Sequence, residues 1–157
     1  MKTRRSLLAA LVLSATATVG AQRSAAGGQP NGIVVIVNKA NPAVALGASD
    51  LRPIFQASKT SWGGGGEATP FNLPVENRLR QDFDQAVLGL DPARAARYWQ
   101  DRKIRGGARA PKQLPSSGAV LAVVAANPGA VGYVDVGEAN NSVKVVARII
   151  GGKLSAP

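Results

Sequence analysis

The sequence predicts an α/β fold, a mixed β-sheet flanked by helices, and three observations predict it. Ile33 to Val37 is an unbroken β-branched run, and Leu79, Phe83, Ala86, Val87 and Leu90 recur at helical spacing. Two further strand-like runs, Val131 to Val136 and Val143 to Ile150, close the chain around an Asn140-Asn141 turn. An unbroken apolar run marks a strand covered on both faces, and the stripe marks an amphipathic helix. Strands and helices interleaved in one chain select the layered class.

Each element has its own signals. Residues 1–21 read as a signal peptide: Lys2, Arg4 and Arg5 precede the apolar stretch Ser6 to Val19, and Val19-Gly20-Ala21 offers a small-residue cleavage site. The apolar stretch is shorter than the roughly 20 residues that span a bilayer. Residues 22–32 are small and polar and are expected to be a disordered leader, and residues 33–157 form the domain. Ser49 is expected to cap a short helix with Leu51, Ile54 and Phe55 on its apolar side and Pro53 in its first turn. Trp62 and Gly63 to Gly66 form a turn that lacks the Lys-Ser/Thr ending of a phosphate-binding P-loop. Thr69 to Leu73 fits a strand closed by Pro74.

A helix follows from about Asn77, and Asp91-Pro92 starts the next as cap and first-turn proline. On that helix Ala95, Tyr98 and Trp99 are expected to face the core, with Arg94, Arg97 and Arg102 outward. Ser116 or Ser117 caps the last helix, ended by Asn127-Pro128-Gly129. The expected order is β-α-β-α-α-α-β-β.

Composition narrows the chemistry. The chain has no Cys and no His, which removes disulfides, a thiol nucleophile, the usual zinc ligands and Ser-His-Asp catalysis. Asp82 and Asp84, two apart on a helix, do not share a face. No enzyme activity, metal or cofactor is expected. Beyond residue 21, sixteen Lys and Arg face nine acids, and the window from Arg94 to Lys112 holds seven bases and one acid, Asp101. A field of this sign attracts anions. Nucleic acid is not the expected partner, since Tyr98 and Trp99 are assigned to a core and the chain to export.

The segment IVVIVNKANP (Ile33 to Pro42), the helix ending Ile54-Phe55, and Trp62 with its glycine turn resemble the phosphate-type substrate-binding proteins of ABC transporters. Tyr98-Trp99, Gly106, Pro111, Ser117, Val120 and Val124 stand in the same order, and NPGAVGYV (Asn127 to Val134) is the most specific match. In its own right that octapeptide needs glycines where a helix turns into a strand and where backbones approach closely. The resemblance implies a periplasmic-binding-protein-like single lobe, since full-length members hold an oxyanion between two. In that family an arginine and a Ser-Gly-Thr sequence at a helix start bind the anion. Asn72 falls at the arginine position and Asn77 at the serine, within NLPVENRLR. No hydroxyl remains there, and Glu76 adds a negative charge.

The resemblance therefore implies a periplasmic or secreted solute-binding-like protein for ABC-type uptake or sensing. Asn72, Asn77, Arg78 and Arg80 would meet a phosphate-like oxyanion, and an ABC permease would be the partner. The alternative from charge alone is an interaction module whose patch, Arg102, Lys103, Arg105 and Arg109, docks an acidic envelope protein.

Overall fold

A computed structural model describes residues 32–64 and 66–157. The signal peptide and, apart from Gly32, the leader expected from the sequence lie outside these residues. In chain order the elements are β1 (Ile33–Asn38), α1 (Ala48–Phe55), β2 (Thr69–Asn72), α2 (Arg78–Phe83), α3 (Pro92–Ile104), β3 (Lys112–Gln113), α4 (Ser117–Ala126), β4 (Ala130–Asp135), β5 (Val143–Ile150) and β6 (Lys153–Ser155). A π-helical turn, Asp84–Leu88, continues α2.

The strands form one sheet in the order β3-β2-β4-β1-β5-β6. β1 runs antiparallel to both its neighbours, whereas β2 runs parallel to β3 and β4. The sheet is therefore mixed, as expected. Burial of β1 is complete along its length, which its β-branched run required. The run indicated two covered faces but not the sense of pairing.

Helices cover both faces. On one, Phe55 of α1, Phe83 of α2 and Tyr133 of β4 cluster, with the Phe83 and Tyr133 rings stacked at 4.0 Å between centroids. On the other, α4 lies so close that a Cβ added at Gly132 would collide with Val120 Cγ1. Successive residues of a strand point to opposite faces, so Gly132 and Tyr133 serve the two layers in turn. Gly129 is equally constrained, because a Cβ there would overlap the Glu67 carbonyl. The octapeptide's glycines thus stand where two backbone approaches demand them.

Four expectations change. β3 and β6, of two and three residues, are too short for periodicity to reveal. The helix after Asn77 is α-helical only to Phe83, and the π-turn carries Val87 and Leu88 into the core before Gly89, at φ 68°, ends it. α1 begins after Gly47, whose N–H donates to the Asp50 carboxylate at 2.9 Å, so Pro53 falls in the second turn and Ser49 is not the cap. On α3 only Ala95 is buried; Tyr98 and Trp99 are half-buried. Arg102 turns back rather than outward, its Nη1 donating to the Tyr98 hydroxyl at 2.9 Å.

Candidate functional site

β2 and β3 are hydrogen-bonded neighbours, but their chains leave in different directions. β2 leads into α2, on the face of the aromatic cluster, and β3 leads into α4, on the face of Gly132. Where neighbouring connections diverge to opposite faces, a crevice opens outside the carboxyl ends of the strands. The segments that leave the two strands here are Leu73 to Asn77 and Leu114 to Ser116, tied together by the Leu114 N–H donating to the Asn72 carbonyl at 2.8 Å.

Each segment ends in a capped helix start. Asn77 Oδ1 accepts from the Leu79 N–H at 2.9 Å, and Ser116 Oγ accepts from the Ala119 N–H at 3.2 Å. These caps satisfy one backbone donor each and leave the other first-turn N–H groups at the positive end of each helix.

Beneath the first segment lies a buried polar cluster. The Tyr133 hydroxyl donates to Asn72 Oδ1 and accepts from the Leu73 N–H, both at 3.3 Å. Arg80 Nη1 donates to the Leu73 carbonyl at 3.1 Å, and its Nε donates to Asp84 Oδ2 at 2.6 Å. Leu73 is therefore held through both its backbone groups. Burial raises the Tyr133 hydroxyl well above the usual tyrosine range. Burial also raises the Asp84 carboxyl, against the downward pull of the Arg80 guanidinium.

The four residues expected to meet an anion thus occupy different environments. Asn77 is the half-buried cap of α2, and Asn72 is buried with its side-chain oxygen engaged by Tyr133. Arg80 is a correction: its side chain is 4% exposed and its charge faces Asp84, not solvent. Two residues along a helix turn the side chain to the opposite side, so Arg78 and Arg80 cannot both face out. Arg78 is the exposed one, 3.3 Å from Asp82. It lines a cleft of about 270 Å³ with Gly32, Ile33, Gln85 and Ile149. Ile33 pairs with Asp135, the last residue of β4, so this cleft lies at the same end of the sheet as the crevice.

Sequence reasoning did not place Tyr133 or the Ser116 segment in the site. Tyr133 stands in the most specific motif, yet its partners lie about 60 positions away. The Ser116 segment was hidden because β3 read as part of a basic loop. In the basic patch Lys103, Arg105 and Arg109 are exposed and Arg102 is half-buried.

Among the described residues no group of three or more acidic side chains gathers that could hold a metal ion, and no helix is long and apolar enough to cross a membrane. No family profile matches the chain, and no curated protein does. Solved structures do match. An ABC-type phosphate transport receptor from Vibrio cholerae superposes with a TM-score of 0.59 at 20% identity, over 73% of this chain and 45% of that one. It shares their fold. A substrate-binding protein assigned to a phosphate ABC transporter, with phosphate bound, from Clostridium perfringens gives 0.58 at 23%, over 73% and 44%. PstS from Borrelia burgdorferi gives 0.58 at 15%, over 73% and 46%. The chain thus has a periplasmic-binding-protein-like α/β fold and spans less than half the length of each of these proteins.

Proposed function

We propose that this chain is an exported, non-catalytic solute-binding-like lobe that takes a phosphate-like oxyanion at the carboxyl end of its sheet, for ABC-type uptake or sensing. One observation carries the reading. Two neighbouring parallel strands deliver two capped helix starts, at Asn77 and Ser116, to one end of the sheet, in a fold shared with proteins described as phosphate receptors. Helix starts present backbone N–H groups and a partial positive charge, the simplest non-covalent means of holding an oxyanion. Arg78 adds an exposed cation at the same end. Tyr133 and Arg80 act beneath, as positioning residues that hold Leu73.

Asp82 shares the charge of Arg78 and Glu76 is exposed on the loop, so one lobe alone binds weakly. A second surface from a partner closes the crevice, as a second lobe does in hinge-closing receptors. The test is calorimetric titration of residues 22–157, which contain every described element, with inorganic phosphate at low ionic strength. The expected result is saturable heat, weakened about 3- to 10-fold by Arg78→Ala. Stability should hold, because the Arg78–Asp82 pair is exposed and such pairs contribute little. No heat at millimolar phosphate would remove the reading.

A further inference from the structure

The far end of α3 carries a second feature that the oxyanion site does not use. Past Ile104 the chain turns at Gly106, with φ 67°, and folds back over the helix, the Gly107 N–H donating to the Arg102 carbonyl at 2.8 Å. Between helix and loop lies a cavity of about 530 Å³, lined by Trp99, Lys103, Gly107, Ala108, Arg109 and Ala110. That volume falls in the range of ligand pockets. The lining contains no carboxylate, and its charged side chains, Lys103 and Arg109, are both cations.

Three buried polar side-chain atoms among the described residues lack a hydrogen-bond partner, and two of them belong to this helix: Trp99 Nε1 and Arg102 Nε. Both are donors. A buried donor without a protein acceptor is unfavourable, so this region can take an acceptor supplied from outside the chain. The Trp99 N–H is shielded from solvent, and the paired glycines at 106 and 107 let the covering loop lift. Helix-dipole compensation accounts for Arg102 and Lys103 in the last turn, but not for Arg105, Arg109 and Lys112 beyond it. Ile104, 76% exposed, adds an apolar contact beside the charges.

The geometry points to a docking pocket for an acidic peptide segment of a protein partner. A glutamate or aspartate side chain enters beneath the Gly106–Ala110 loop, accepts from the Trp99 indole N–H, and is held by Lys103 and Arg109. Neighbouring acids of the segment meet Arg105, and an apolar residue covers Ile104. The exposed bases that follow the helix, Arg105, Arg109 and Lys112, favour a peptide over a compact anion.

The chain has two tryptophans, so an ¹⁵N–¹H spectrum shows two indole signals. Trp62 already donates to the Gly129 carbonyl at 3.2 Å and serves as the internal control. ¹⁵N-labelled protein of residues 22–157 is titrated with a terminally blocked hexapeptide of four glutamates and two leucines. The expected result is a saturable downfield movement of the Trp99 signal with Trp62 unmoved. Affinity should fall roughly tenfold or more in the Lys103→Glu/Arg109→Glu double variant and about fivefold in Trp99→Phe. Lys103 and Arg109 are exposed, so an unchanged melting temperature certifies that the double variant is folded. Binding that leaves the Trp99 signal still, binding that survives the charge reversal, or no saturable shift overturns the proposal. An equal response to a short single-stranded oligonucleotide also overturns it, by showing a general polyanion surface. Inorganic phosphate should move the backbone signals of Asn77 and Arg78 instead, so the two sites stand or fall separately.

Discussion

Tyr133→Phe removes one oxygen atom and tests the polar cluster under the crevice. The ring stack on Phe83 at 4.0 Å survives the change, so any effect belongs to the hydroxyl. Its loss strips two buried groups, the Leu73 N–H and Asn72 Oδ1, of a partner. Each orphaned group costs about 1–3 kcal/mol, and both bonds are long at 3.3 Å, which argues for the lower end, about 2 kcal/mol together. For a domain of this size that lowers the melting midpoint by roughly 6–10 °C. The raised ionisation of Tyr133 adds a pH signature. An unfolded tyrosine releases its proton near pH 10, whereas the folded hydroxyl keeps it beyond that. The hydroxyl's contribution is therefore complete below about pH 10 and is lost as pH rises above it. Thermal melts followed by circular dichroism should show a gap between wild type and variant that is constant around neutral pH and narrows above about pH 10. A variant that melts within about 2 °C of wild type at neutral pH, with no narrowing at alkaline pH, would refute the assignment of the hydroxyl as a strut for Leu73.

Gly132→Ala should cost about 1–3 kcal/mol, because its new methyl meets the buried Val120, and Val120→Ala in the same chain should recover part of the loss in denaturant titrations. Asn77→Ala should cost about 1 kcal/mol through the lost cap on α2 and should also reduce the calorimetric phosphate signal. A normal phosphate titration in that variant would separate the cap from the ligand site.

Much of the fold was legible because the relevant signals are local. The run from Ile33 to Val37 could be stable only with both faces covered, and β1 takes the inner position that covers them. Asp91-Pro92 and the Ser116-Ser117 pair announced two helix starts through chemistry that acts within three residues; Asp91 caps the first, and the structure selects Ser116 of the pair for the second. The short strands were illegible for the opposite reason. A two-residue strand such as β3 carries no period, and its pairing to Phe71 and Asn72 depends on a chain 41 positions away.

The site was legible only in outline. Asn77 was recognisable as a helix start, and it caps α2. Arg78 and Arg80 looked equivalent as charges, yet Asp84 one turn on and the Leu73 carbonyl hold Arg80 inside, while Arg78 stays in solvent. Tyr98 and Trp99 looked like core residues from their spacing, but α3 buries only Ala95.

By itself, then, the sequence determined the α/β class, the buried central strand, the glycines of the last helix-to-strand corner and the concentration of positive charge. Those properties follow from side-chain shape, backbone freedom and net charge, which each residue carries wherever it lies. Only the tertiary structure decided which arginine is a buried strut and which is exposed, that Tyr133 supports the loop after β2, and that a cavity opens beside Trp99. These depend on groups distant in sequence meeting at hydrogen-bond range, and no local pattern encodes such a meeting.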